Sequence, residues 1–147
     1  MGFSEVAISG GRKVRTILNA VLDTNILVSG LLSAKGNPAR IINVFRDKQF
    51  NLFYNAEIVS EYRDVLFRNR LGLRVEDINA LLESIYILGF PVIPYKSNQS
   101  LSDEDDRIFY DVAKTANAYL ITGNIKHYPD EPFIITPARF TALLEIS

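Results

Sequence analysis

From residue 16 to the end of the chain, short apolar runs alternate with segments of helical period, and that alternation constrains the fold more than any other feature. "TILNAVLD" (16–23) reads as a buried strand. "NPARIINVFRDK" (37–48) reads as a helix with Asn37 as cap and Pro38 at its first position. "QFNLFYN" (49–55) alternates as a strand does, and "NAEIVSEYRDVLFRNR" (55–70) and "VEDINALLESIYILG" (75–89) are helical. "FPVIPY" (90–95) is a short strand, 102–117 an acidic helix, and "AYLIT" (118–122) and "FIIT" (133–136) the last strands before a helix opened by Pro137. No element is assigned to 24–36. Strands separated by helices predict an α/β domain with a mainly parallel sheet and helices on both faces. Residues 1–15, small, polar and basic with Gly10 and Gly11 in the middle, are expected to form a flexible or peripheral arm on a single domain spanning 16–147.

Composition narrows the chemistry. The 147 residues contain no Cys and one His, His127, which excludes disulfides, thiolate metal sites and any site with two His ligands. Formal net charge is −1. A polyanion must therefore be met by a local patch or through a metal ion. No apolar run approaches the roughly 18 residues of a membrane span, and the first residues lack a signal-type apolar region, so a cytoplasmic protein with no membrane partner is expected.

In a parallel α/β sheet the helix N-termini lie at the edge where the strands end, which is also where ligands bind. Asp23 closes the first strand. Asp103, Glu104, Asp105 and Asp106 open a helix, Asn124 follows the strand 118–122, and Glu61 lies in the second turn of the helix beginning at Asn55. The pattern thus sends acids distant in sequence toward one edge. At about 100° per residue, Glu61 is nearer than Glu57 or Asp64 to the apolar face of Ile58, Val59, Tyr62, Val65 and Leu66. Asp106 flanks the stripe of Ile108, Phe109, Val112, Ala113 and Ala116, with Asp103 one turn earlier; Asp105 lies at the extreme end of the stripe. Gathered carboxylates repel unless a cation compensates them, and hard oxygen donors favour Mg²⁺ or Mn²⁺. A plainer reading competes. Acids collect at helix starts because the macrodipole favours them, and Ser102 with Asp105 resembles a capping box.

The segments "VLDTNILVSGLL", "IVSEYRDVL", "DEDDRIFYDVA" and "YLITGNIKHYP", in this order and at these distances, resemble the PIN domain over about residues 17–140. The resemblance extends to the bacterial and archaeal branch described as toxin components of toxin–antitoxin systems. It implies a three-layer α/β/α sandwich and a metal-dependent ribonuclease that cleaves single-stranded or structured RNA. By position, Asp23, Glu61 and Asp106 match the family's acidic ligands, and Asp103 the first acid of the branch's D-x-x-D. Thr24, Asn25 and Thr122 match residues bordering the pocket. Asn124 departs from the general pattern, since many PIN domains carry a fourth Asp there; an amide adds no charge, which weakens a second metal site unless Asp103 compensates.

Phosphodiester hydrolysis by Mg²⁺ or Mn²⁺ held on carboxylates needs no His base. Arg107, Lys126 and His127 are candidate phosphate contacts, and Arg63, Arg68, Arg70 and Arg74 form a basic stretch able to follow an RNA backbone. An antitoxin protein and a second copy of the chain are the further partners implied. Phe50, Phe53, Tyr54 and Tyr86 could serve such an interface or fill the core. Two other functions fit less well. A haloacid dehalogenase-like phosphatase needs a second Asp where Asn25 stands, and an RNA-binding or protein-interaction module with weak catalysis is left open by Asn124.

Overall fold

The computed structural model describes residues 3–9 and 13–146. Its strands are β1 (Phe3–Ser9), β2 (Lys13–Leu22), β3 (Asn51–Tyr54), β4 (Phe90–Pro91), β5 (Tyr119–Ile121) and β6 (Ile134–Ile135). Its helices are α1 (Thr24–Leu32), α2 (Asn37–Arg46), α3 (Ala56–Leu66), α4 (Val75–Leu88), α5 (Arg107–Ala116) and α6 (Pro137–Ile146). Five strands form a parallel sheet in the order β4-β3-β2-β5-β6. The arrangement is the expected three-layer α/β/α sandwich. The order places β2 at the centre with β5 on one side and β3 on the other, so the ends of β2 and β5 lie side by side.

The central position explains the composition of β2. Leu18, Ala20, Val21 and Leu22 are buried, as a strand covered on both faces requires. Asn19 is buried among them and accepts a hydrogen bond from Asn51 Nδ2 on β3 at 3.2 Å. Along β3, Leu52 and Tyr54 face inward while Asn51 and Phe53 are half-buried. Of the aromatic residues considered for an interface, Phe50 and Tyr54 belong to the core, whereas Tyr86 is exposed. Among the described residues no helix is long and apolar enough to cross a membrane.

Several boundaries differ from expectation. Residues 3–9 and 13–15, assigned to the arm, carry an antiparallel hairpin in which β1 pairs with the first part of β2, from Phe3↔Leu18 to Ser9↔Lys13; Gly10 and Gly11 lie outside the described residues. The unassigned stretch after Asp23 holds α1. Its Gly30 sits where α2 passes closest: an added Cβ would lie 2.4 Å from Ile42 Cδ1 and 3.1 Å from the Pro38 carbonyl oxygen. Asn37 does not cap α2. Gly36 takes that place, and the Asn37 side chain accepts from Thr141 Oγ1 of α6 at 3.1 Å instead. The strand expected over 90–95 is limited to Phe90–Pro91; the Val92 amide makes one further bond to the Tyr54 carbonyl at 2.9 Å, and Pro94 has no N–H to give.

One contact connects the core to the edge of the sheet. Tyr62, fully buried on α3, donates from its hydroxyl to the Leu22 carbonyl at 2.5 Å, one residue before Asp23. Its ring packs near Phe109 of α5, 6.3 Å between centroids. Three elements are thereby fixed around the end of β2. Tyr62→Phe keeps the ring and removes only the donor, so urea denaturation should show a loss of roughly 1–3 kcal/mol with an unchanged m-value.

Candidate active site at the carboxyl edge of the sheet

β2 ends at Leu22, and Asp23 follows as the N-cap of α1, its Oδ1 accepting from Asn25 N at 3.4 Å. The Asp23 amide is still part of the sheet and donates to the Ile121 carbonyl at 3.0 Å. This backbone position turns the side chain off the strand end toward β5. There Thr122 Oγ1 donates to Asp23 Oδ2 at 2.8 Å, while accepting from the Asn124 amide at 3.0 Å. The Tyr128 hydroxyl reaches the same carboxylate oxygen at 3.5 Å. Asp23, Thr122 and Tyr128 are all buried. Burial, and then the Asp23 and Asp106 charges, raise the Tyr128 hydroxyl's pKa, so it stays protonated and serves as a donor.

Glu61 enters from α3, which is capped by the Asn55 side chain accepting from Ile58 N at 2.9 Å. Its Oε2 accepts from Thr24 Oγ1 at 3.4 Å. Burial raises its pKa, the Thr24 hydroxyl and the Arg68 charge opposing. The acidic run is not the first turn of α5. Glu104–Asp106 form a short 3₁₀ turn before it, and Asp103 rather than Ser102 provides the cap, accepting from Asp105 N at 2.9 Å. Ser102 instead donates to the His127 carbonyl at 3.1 Å, tying the acidic turn to the turn of Ile125–His127 after β5. Asp106 is half-buried, and its carboxyl is pushed up from 3.8 to about 6, first by desolvation and then by the charges of Asp23 and Asp103.

These elements enclose a cavity of about 350 Å³. Asp23, Glu61, Asp103, Asp105 and Asp106 line it together with Thr24, Asn25, Asn124, His127 and Tyr128. The acids, expected to converge at one edge, share one pocket. They do not close on a point, however. Among the described residues no three His, Asp or Glu side chains are grouped so as to hold a metal ion where they stand.

The other expected contacts divide. His127 lines the pocket, while Lys126 is exposed on the same turn and does not line it. Arg107 is turned away. Its guanidinium donates to Glu104 at 2.6 and 3.0 Å, to Ser97 O and Oγ at 3.0 and 2.9 Å, and to Gln99 O at 2.6 Å. With every N–H so engaged it is a strut for the 97–104 segment and no phosphate contact. Tyr128 was not anticipated; its position six residues after Thr122 gives no pattern that would single it out. Arg68 and Arg70 of the basic stretch lie on the pocket wall.

A family model described as PIN domain matches residues 19–126, a span that holds Asp23, Glu61, Asp103, Asp106 and Asn124. An uncharacterized protein of Methanocaldococcus jannaschii is 24% identical over 110 residues, covering 73% of this chain and 71% of that protein. No solved structure matches at a significant level.

The electrostatics give a signed expectation. With its carboxyl at about 6, Asp106 keeps a proton in the folded, metal-free protein that the unfolded chain has lost above 3.8. Across that window the unfolded state binds fewer protons, so this group's contribution to stability falls as pH rises. Asp106→Asn removes the fall. In chelator, the difference in Tm between Asp106→Asn and wild type should therefore grow in the variant's favour from pH 4 to pH 6 and then level off, within about a pH unit. A difference that does not change with pH would show that neither burial nor the neighbouring charges raise the Asp106 carboxyl.

Proposed function

The chain belongs to the PIN domain family, and from that premise we propose that it is a metal-dependent endoribonuclease, using Mg²⁺ or Mn²⁺ to hydrolyse RNA phosphodiester bonds in the acidic pocket. PIN domains are generally nucleases and typically use divalent metals. The observation that carries the reading is the pocket itself. Five carboxylates from the end of β2, from α3 and from the turn before α5 line one cavity, against two arginines, Arg68 and Arg70.

The donor set fits a hard divalent ion in kind, being all oxygen and mostly anionic. Asp23, Glu61 and Asp106 would hold it, with Asp103 supplying the charge that Asn124 lacks. A bound ion would lower the pKa of water and neutralise charge on the phosphoryl oxygens. The chain's own residues do the rest. Thr122 and Tyr128 hold Oδ2 of Asp23, leaving Oδ1 with one long backbone contact and free lone pairs. Thr24 orients Glu61. Asn25 and Asn124 offer amides along the wall, and His127 a donor at the rim.

RNA as substrate implies action in the cytoplasm. The toxin role, with an antitoxin protein as partner and a second copy of the chain as a possible further one, draws its support from the likeness of the four quoted segments to the toxin branch. A second reading is favoured by one observation. Because the acids are not pre-assembled on a point and Asn124 replaces an acid, the fold could bind RNA or a protein while cutting feebly.

Incubation of the purified chain with a mixed RNA panel separates the two. Fragments should appear with Mn²⁺ or Mg²⁺ and vanish with chelator. Asp23→Asn should slow cleavage by roughly 100-fold or more, and Thr122→Val, which frees the Asp23 side chain, by roughly 10- to 100-fold. RNA retained without fragments would favour the binding module. Cleavage undiminished in Asp23→Asn would place the chemistry elsewhere.

A further inference from the structure

The acidic pocket opens along α3 in two directions. One is lined by Glu57, Glu61, Asp64, Glu104 and Asp105, with Ser60 and Ile108 between them. A polyanion entering there would face carboxylates alone. The other is a shallow groove of Ser60, Arg63, Asp64, Phe67, Arg68 and Asn69. Arg68 lines both the groove and the acidic pocket, so the two adjoin across its side chain, and Arg70 stands on the pocket wall.

Charge therefore distinguishes the directions. Arg63, Arg68 and Arg70 are exposed. Asp64 offsets part of this, bonding Arg68 at 3.2 Å, but both side chains are open to solvent and such a pair is weak and exchangeable. The groove also contains Phe67, the residue on which α3 ends. Its neighbour Leu66 is 1% exposed and in the core, whereas Phe67 is 37% exposed. A phenyl ring left open between arginines is the combination that single-strand readers use: cations follow the phosphates and an aromatic face stacks a base. Bases inside a duplex are stacked on one another and present no face to it.

We propose that the groove of Arg63, Phe67 and Arg68, with Arg70 at its junction with the acidic pocket, is a subsite for an unpaired RNA segment, one base stacking on Phe67 and the adjoining phosphates lying on the arginines. It rests on the ribonuclease reading and names the residues that would hold the RNA beside the acidic pocket. As a binding surface it stands without cleavage.

The test measures binding apart from cutting. Fluorescently labelled single-stranded oligoribonucleotides and a blunt RNA duplex of the same composition are titrated by anisotropy, with Asp23→Asn as background and chelator present. The single strand should bind more tightly than the duplex. Adding Phe67→Ala should weaken single-strand binding by roughly 10- to 100-fold, and Phe67→Trp should restore it. Arg63→Ala should lower the slope of log affinity against log salt by roughly 0.7, the loss of one phosphate contact. Phe67→Leu keeps apolar volume without a π-face and should resemble Phe67→Ala while melting like the parent, which guards against a folding defect. Equal affinity for duplex, or single-strand binding indifferent to Phe67, overturns the proposal. If Phe67-dependent binding is found but wild type yields no fragments in Mn²⁺, the subsite holds and the nuclease reading fails. If fragments form while binding ignores Phe67, the reverse is true.

Discussion

A carboxylate at the end of a buried central strand must be given a position, and Asp23 is given one from three sides. Its amide remains in the sheet, bonded to the Ile121 carbonyl. Its Oδ2 takes a short bond from Thr122 and a longer one from Tyr128, both from the chain around β5. One residue earlier, the Leu22 carbonyl accepts from Tyr62 of α3. Strand, neighbouring strand and helix are thus fastened at a single place. Because the sheet is parallel and β5 lies against β2, the loops after both strands open on the same side. Glu61 and the turn of Asp103–Asp106 reach that place through the packing of α3 and the start of α5 around Tyr62 and Phe109.

The consequence is electrostatic. Two hydroxyl donors partly satisfy Asp23, and one satisfies Glu61, yet Asp106 has no such hydroxyl and shows the strain in its raised pKa. A pocket in this condition is held by the rest of the fold, and a bound cation would relieve it. The same charges organise what surrounds it. Toward Glu57 and Glu104 the surface is acidic, and toward Arg63, Arg68 and Phe67 it carries arginines beside an exposed ring. An overall charge of −1 conceals this division, which appears only when the arginines at the end of α3 are seen beside the acids.

Much of this was legible in the chain itself. Strand and helix periods, and the acids at element boundaries, were enough to expect a parallel sheet with Asp23, Glu61, Asp103 and Asp106 at one edge. What was illegible has physical causes. α1 was missed because its apolar residues run together after Asp23 and Gly30 lowers its propensity; the glycine is there for the approach of α2, a tertiary reason. Arg107 looked available because it adjoins the acids, but the carbonyls of Ser97 and Gln99 that engage it come from a loop with no pattern of its own. Tyr128 carries no periodic or charge signal, and its role depends on where a turn of Ile125–His127 delivers the hydroxyl. The separation of the acids from one another could not be read either, since spacing along a chain does not fix carboxylate distances.

The central claim is that these carboxylates form one divalent-cation site. Anomalous difference density from crystals grown or soaked in Mn²⁺ tests it directly. A peak is expected inside the pocket, bonded to oxygens of Asp23, Glu61 and Asp106. A pocket that stays free of Mn²⁺ at saturating concentration, or a peak bonded only to acids outside it, would contradict the account.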